Sequence, residues 1–114
     1  MIEQLKEVNK VIEWYDNSDI KHLYHLNNAL KRLTANLFYL EEERAKCHQE
    51  FQKIIYDLTS KKMTVARAEN VAHVQVPEMY MLRRVMNAAY RVADSIRTNI
   101  SYMKSELSNT NTQT

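Results

Sequence analysis

Cationic and aromatic side chains recur on one flank of the last predicted helix, at spacings that suit phosphate binding. They occupy adjacent heptad positions outside its apolar seam: Arg83, Arg84, Tyr90, Arg91, Arg97 and Lys104. Separated cations can contact successive phosphates, and an aromatic ring among them can stack on an unpaired base. The stripe predicts binding of single-stranded rather than duplex nucleic acid, and Lys61, Lys62 and Arg67 could extend it.

The same stripe also has a simpler interpretation as a solvated flank. Glu41, Glu78 and Glu106 lie near it in the predicted arrangement. Mixed charge on the flanks of paired helices is common, so this interpretation is the more frequent one for such a pattern. The sequence leaves both interpretations open.

A second group of aromatic side chains exceeds what a solvated helix surface needs. Its members are spread over three predicted helices: Trp14, Tyr24, Phe38, Tyr39, Tyr80 and Tyr102. Aromatic residues are enriched where proteins contact one another, and large exposed apolar patches mark such contacts. We predict a protein interface from this group, with part of the contact made by the first helix through Trp14.

No pattern in the chain predicts catalysis or a cofactor. There is no Gly-rich phosphate loop, no pair of cysteine ligands and no His-x-x-x-His spacing, and these patterns carry many nucleotide and metal sites. Asp19, His22 and His25 recur at three-residue steps, but their polar neighbours favour a solvated surface over a metal site. We predict a non-enzymatic protein with no metal, no cofactor and no small-molecule substrate.

Apolar residues at alternating three- and four-residue steps predict two long helices that pair. One seam runs from Leu23 to Leu58 and the second from Met79 to Leu107, which is the heptad pattern of coiled coils. We expect an all-α fold, an antiparallel long-helix hairpin with Leu58 near Met79 and Leu30 near Leu107. A shift of the pairing by one heptad would also bring apolar residues together.

Polar residues between the apolar stretches predict where the helices end. Asn17 or Ser18 can cap the second helix, Thr64 can cap a short connector helix, and Pro77 suits the first turn of the last helix. The first helix is expected to pack at one end of the hairpin. We predict one domain over residues 1–107, with helices over 2–16, 19–60, 65–75 and 77–107, and a disordered polar tail over 108–114.

Arg44 stands at a seam position that is otherwise apolar. A guanidinium there costs desolvation unless it has partners, which Glu41 or Asp94 could supply. Alternatively, the stem of Arg44 lies along the seam while its head reaches solvent. The two interpretations have equal weight. In the predicted register Arg44 faces Ala93, and Glu41 lies beside Arg97.

Composition narrows the class of protein. The 114 residues suit one domain, and 16 Lys and Arg against 14 Asp and Glu give a formal charge of +2, which is too balanced for bulk attraction to nucleic acid. Cys47 is the only cysteine, which favours the cytoplasm. No apolar run approaches the roughly 18 residues of a membrane span. A thin two-helix rod buries little apolar surface, so we expect a homo-oligomer.

The C-terminal half, from Arg67 to Glu106, has a pattern that is similar to a known group of proteins. Its long helix passes through Tyr90-Arg91-Val92-Ala93 and ends, over residues 96–106, in a segment of the form Ile-Arg-x-x-Ile-Ser-Tyr-x-Lys-x-Glu. This half resembles small helical-hairpin proteins of bacteriophages that are encoded among recombination and replication genes. The resemblance implies an oligomeric accessory factor that binds single-stranded DNA or a recombinase-type protein. The contact residues it implies are Arg84, Arg91, Arg97 and Lys104.

Two further functions stay open at this point. The chain is also consistent with a small phage or mobile-element inhibitor of the anti-CRISPR type, which would dock on a host defence protein through Tyr24, Phe38 and Tyr39. A pure scaffold would self-assemble and bind nothing else. A single stoichiometric protein partner without retained nucleic acid would favour the inhibitor.

Overall fold

Helix accounts for nearly all of the chain that the structure describes. The computed structural model describes residues 1–19 and 22–112, and within them it has four α-helices and no strand. The helices are α1 (Ile2–Asn17), α2 (Leu23–Ser60), α3 (Val65–Gln75) and α4 (Glu78–Thr112). The molecule is elongated, with extents of 74 × 25 × 21 Å. The predicted all-α fold with two long paired helices is confirmed.

A tight turn at residues 61–64 reverses the chain after α2. Lys62 has a φ of 69°, a left-handed conformation that usually falls to glycine after a helix, and this chain contains no glycine. The Lys62 amide donates to the Thr59 carbonyl and the Met63 amide to the Leu58 carbonyl. These two bonds form a Schellman motif, which ends α2 and turns the chain back within a few residues.

The connector helix α3 then packs against the end of α2. Thr64 caps it as predicted, because the Thr64 hydroxyl accepts a hydrogen bond at 3.4 Å from the amide three residues later. Ala68 and Ala72 are fully buried, and such small side chains let two helices approach closely. The helix breaks at Val76 and Pro77, since proline disfavours helical geometry in the residue before it and lacks an amide donor.

The pairing of α2 with α4 differs from the predicted register by one heptad. The Tyr90 hydroxyl donates a hydrogen bond to the Glu41 carboxylate, whereas the predicted register placed Arg97 beside Glu41 and Tyr90 beside His48. Arg97 instead forms an ion pair with Asp94 of its own helix, at 3.0 Å. The predicted register is therefore wrong, although the seam positions themselves are right.

The tight turn explains this shift. Because α3 takes the place opposite the last turns of α2, α4 begins about two and a half turns before the end of α2, where Phe51 and Met79 line one groove. Leu58 consequently lies at the α3 end, away from Met79. At the other end Leu107, which was predicted to face Leu30, is 57% exposed.

Helix α1 covers one end of the hairpin and makes it a three-helix bundle. Arg32 of α2 forms an ion pair with Glu7, and the Asn99 side-chain amide of α4 donates to the Tyr15 hydroxyl at 2.7 Å. The buried core shared by the three helices consists of Leu5, Val8, Val11, Leu26, Ala29, Leu33, Leu37, Leu40, Leu82, Met86, Ala89, Ala93, Ile96 and Ile100. The predicted packing of the first helix at one end is confirmed.

The start of α2 lies later than predicted. The helix begins at Leu23, with His22 as its N-cap and no side-chain cap bond. Ser18, a predicted cap for α2, instead ends α1, where its amide donates to the Trp14 carbonyl at 3.0 Å. The prediction failed because α1 extends through Asn17 and so takes the polar residues assigned to α2. Residues 20 and 21 of the predicted helix lie outside the described residues.

The end of α4 also differs from the prediction. The helix continues past residue 107 to Thr112, where the sequence predicted a disordered tail from residue 108. Polar composition alone does not stop a helix, and the run after Leu107 contains neither glycine nor proline. Residues 113 and 114 lie outside the described residues.

Candidate functional site

The two long sides of the α2–α4 hairpin are not equivalent. Helix α1 covers one side, where Ala29 is buried and Val85 and Val92 pack against the core. The other side contains the Tyr90–Glu41 hydrogen bond. Over the length of α1, none of the described helices covers it. We call this second side the open flank. It consists of the two rows nearest the seam on α2 (Tyr24, Asn27, Lys31, Thr34, Phe38, Glu41, Ala45, His48) and on α4 (Tyr80, Arg83, Asn87, Tyr90, Asp94, Arg97, Ser101, Lys104).

The open flank and α1 carry charge of opposite sign. The cations on or beside the open flank are Lys31, Arg44, Arg83, Arg97 and Lys104, and its carboxylates are Glu41 and Asp94. Helix α1 has four carboxylates, Glu3, Glu7, Glu13 and Asp16, against Lys6 and Lys10. The near balance of the whole chain therefore hides a local positive surface, which favours anionic ligands on the open flank.

Both carboxylates on the open flank are engaged by neighbouring side chains. Arg44 and Glu41 form an ion pair at 3.0 Å, and Glu41 also accepts the hydrogen bond from Tyr90. Asp94 pairs with Arg97 at 3.0 Å. Among the described residues, Lys31, Arg83 and Lys104 take part in no ion pair, so their charges are available to a ligand.

Arg44 combines its two predicted arrangements, because it has one of the predicted partners and its head reaches solvent. Its side chain is 45% exposed and its partner is Glu41, not Asp94. A cation at this seam position interrupts the apolar contact between α2 and α4 and leaves the head on the open flank.

The hydrogen bond to Glu41 shifts the pKa of Tyr90. Because the carboxylate accepts a bond from the protonated phenol, it raises the pKa of Tyr90, and partial burial adds to the shift. The bond holds Tyr90 on the open flank, where the residue is 40% exposed. A hydrogen bond with Glu106 likewise raises the pKa of Tyr102.

The structure divides the predicted nucleic-acid stripe into two rows. Arg83, Tyr90, Arg97 and Lys104 lie in one row on the open flank, spanning about 30 Å at 1.5 Å per residue. Two other cations, Arg84 and Arg91, lie one row further from the seam. Arg91 lines a shallow depression with Tyr15 and Asp16 of α1. Only the first row thus shares a surface with the rest of the open flank.

The predicted aromatic interface is also divided. Tyr24, Phe38 and Tyr80 lie on the open flank and are exposed by 77%, 74% and 67%. The remaining three lie on the side of α1: Trp14 packs partly buried against the core, the Tyr39 hydroxyl accepts a 3.5 Å hydrogen bond from the N-terminal amine, and Tyr102 contacts Glu106. Three of the exposed rings therefore lie among the cations of the open flank, whereas Tyr102, which is 65% exposed, lies on the side of α1.

A groove lies where the open flank meets α3. It has a volume of about 640 Å³, and its walls come from α2, α3 and α4: Glu41, Arg44, Ala45, His48, Phe51, Glu69, His73, Met79 and Arg83. The rings of Phe51 and His73 meet edge to face, with their centroids 4.8 Å apart. Sequence reasoning did not find this site, because it depends on the register of α4 and on the position of α3. In the sequence, only Arg44, a cation at a seam position, pointed to this groove.

The described residues contain no candidate metal site and no candidate membrane-spanning helix. No group of three or more His, Cys, Asp or Glu side chains there is arranged to hold a metal ion. None of the described helices combines the length and apolar content needed to cross a membrane.

Burial and nearby carboxylates raise the pKa of Cys47, so its thiolate is disfavoured.

Comparison with known proteins assigns no family to this chain. No protein-family model, no curated protein and no solved structure matches it. The resemblance of the C-terminal half to phage helical-hairpin proteins stays a prediction. Any functional assignment depends on the chemistry of the open flank and the groove.

Proposed function

We propose that this protein is a non-enzymatic accessory factor that binds single-stranded nucleic acid along the open flank. The observation that supports the proposal is the mixture of exposed rings and unpaired cations on the one side that α1 leaves uncovered. Lys31 lies between Tyr24 and Phe38 along α2, and Tyr90 lies between Arg83 and Arg97 along α4. Binding of single-stranded DNA is one of the two roles that the resemblance to phage proteins implies, and binding of a recombinase-type protein is the other.

Single-stranded ligands fit this surface better than duplex. The rings of Tyr24 and Phe38 are exposed over most of their area, and their faces can stack only on bases that are not already stacked in a helix. The cations Lys31, Arg83 and Lys104 are separated by several residues, which suits contacts with successive phosphates. Duplex recognition would need an element that enters a groove or follows its shape.

A matched pair of charge-reversal variants tests the proposal. In Lys31→Glu/Lys104→Glu, two unpaired lysines of the open flank change sign, whereas Lys6→Glu/Lys10→Glu makes the same change of charge on α1. We expect the first variant to bind a fluorescent single-stranded oligonucleotide about tenfold or more weakly at low salt, since it loses two phosphate contacts. The second variant should bind much as the wild type does.

The salt dependence gives an independent readout of the same contacts. Each phosphate contact contributes about 0.7 to the slope of log affinity against log salt for single strands, so the open-flank variant should lose about 1.4 from that slope. Equal affinities and slopes for the two variants would contradict the proposal. For the wild type and both variants, we expect weaker binding to duplex than to single strands.

A protein partner is the second candidate, and the exposure of Tyr24 and Phe38 favours it. Aromatic residues are enriched at protein interfaces, and Tyr24 and Phe38 are exposed by 77% and 74%. In this case the chain is an inhibitor that docks on a host defence protein. The double variant Tyr24→Ala/Phe38→Ala separates the candidates when oligonucleotide binding and partner capture are measured on the same sample: loss of capture alone indicates the protein partner.

Self-association belongs to the same proposal. The two-helix part of the rod buries little apolar surface, so a homo-oligomer would cover more of it. Light scattering with and without a single-stranded oligonucleotide measures both the oligomer and the ligand. A cytoplasmic location, with Cys47 kept as a thiol, is the setting we propose for this function.

A further inference from the structure

We infer that the groove between α2, α3 and α4 binds the terminal phosphate monoester of the bound strand, with Arg44 and Arg83 as its main ligands. Both arginines line the groove, and the open flank leads into it. The inference rests on the proposed function, because the strand that follows the open flank is the molecule that reaches the groove.

Helix α3 limits how far a strand can run. Glu69 and His73 of α3 face His48 of α2 and Arg83 of α4 across the groove. A strand that lies along α4 from Lys104 toward Arg83 therefore meets α3 and ends there. The part of the strand that enters the groove is its terminus, and a terminal phosphate is the strongest anion that a strand offers at its end.

The two arginines of the groove suit a monoester better than an internal phosphodiester. A terminal phosphate carries about −1.5 to −2 charges near pH 7 and three strong acceptor oxygens. Two guanidinium groups match it, because each can donate two parallel hydrogen bonds to phosphate oxygens. Two carboxylates, Glu41 and Glu69, oppose this attraction. Glu41 already pairs with Arg44 at 3.0 Å, so the phosphate competes with that carboxylate for Arg44. Among the described residues Arg83 is in no ion pair and is fully available.

The size and the apolar wall of the groove fit one nucleotide. Its volume of about 640 Å³ falls within the range of roughly 300–1,000 Å³ that small-ligand sites occupy. Phe51, Met79 and Ala45 form the apolar part of the wall, and the ring of His73 stands against that of Phe51. A base or sugar can lie on this wall while the phosphate meets the arginines.

Three oligonucleotides of one sequence test the inference with the full chain: one with a 5′-phosphate, one with a 3′-phosphate and one with neither. We expect the wild type to bind one of the phosphorylated strands about tenfold more tightly than the strand without phosphate, the size of one added charge-assisted contact. In Arg44→Gln and Arg83→Gln this preference should disappear. Circular dichroism checks that the variants keep their helix content.

Two further variants act as controls. Arg84→Gln removes the neighbouring arginine, which does not line the groove, and should keep the preference. Glu69→Gln removes one of the two opposing charges and should strengthen the preference severalfold. Equal binding of the three strands, or a preference unchanged in Arg83→Gln and Arg44→Gln, would overturn the inference and leave the proposed function standing. If no strand binds at all, the proposed function fails and the inference fails with it.

Discussion

The two ends of this molecule are built in different ways. At the α1 end, three helices share a continuous core in which Val8, Leu26 and Leu33 are completely buried. At the α3 end the buried residues are fewer: Phe51, Ala68, Ala72 and Val76. Between the ends, Arg44 and Ala45 of α2 are exposed, whereas Leu82 and Met86 of α4 stay buried.

The difference separates stability from binding. Large apolar side chains hold the α1 end together, so its surface is free to carry cations and rings. The α3 end has fewer buried residues, and it is there that the helices leave a groove with polar side chains in its walls. Because buried apolar area is the main source of folding free energy, substitutions at the two ends should have unequal effects.

The largest effect should follow from Leu33→Ala at the α1 end. Leu33 is 0% exposed, and removal of such a leucine typically costs about 2–5 kcal/mol because a cavity is left behind. The matched change at the α3 end, Leu58→Ala, removes a half-buried leucine and should cost less than half as much. Urea unfolding followed by circular dichroism measures both. Equal losses would show that the two ends are alike in packing.

A smaller, stabilising effect is expected at the tip of the α3 end. Lys62 adopts a positive φ, which costs a residue with a side chain about 1 kcal/mol relative to glycine. Lys62→Gly should therefore raise the free energy of unfolding by up to about 1 kcal/mol. Hydrogen exchange should show the gain mainly in the amides near the turn.

Lys61→Gly is the control for this change. Its φ is −93°, so glycine relieves no strain there and only adds freedom to the unfolded chain. We expect no gain, or a loss of up to about 1 kcal/mol. A gain equal to that of Lys62→Gly would contradict the left-handed conformation as the cause.

The smallest effect concerns the bond that joins the helices in the middle. Glu41 raises the pKa of Tyr90, so Glu41→Gln should return it toward its usual value, while Glu43→Gln, which removes the partner of Lys46, should not. An absorbance titration of the tyrosines measures the shift. Because the folded pKa is the higher one, the bond stabilises the fold below the unfolded value near 10 and loses this effect as the pH rises through the folded value. An unchanged pKa in Glu41→Gln would refute this cause.

Most of the fold could be predicted because heptad spacing is a local signal. The spacing of apolar residues from Leu23 to Leu58 and from Met79 to Ile100 shows which face of each long helix is buried. Thr64 and Pro77 mark the breaks around α3. These features depend only on neighbouring residues.

The register could not be predicted, because every shift of seven residues also pairs apolar side chains. The register is decided by the left-handed conformation of Lys62. The sequence does not indicate this conformation, because glycine is its usual marker and the chain contains none. The groove depends on that register, so it was missed as well. The basic and aromatic residues of the open flank were found, but their division between two sides of the molecule depends on where α1 lies.

The Schellman turn at residues 61–64 also has a consequence for how the chain folds. It joins α2 to α3 through very few residues, so the first long-range contacts close a short loop, which takes well under a microsecond in a flexible chain. A pairing slipped by one heptad would require this turn to open and α3 to unwind. We expect the tip to form early and α4 to add to it from Pro77 onward, so that the correct alignment is selected by kinetics before α1 docks.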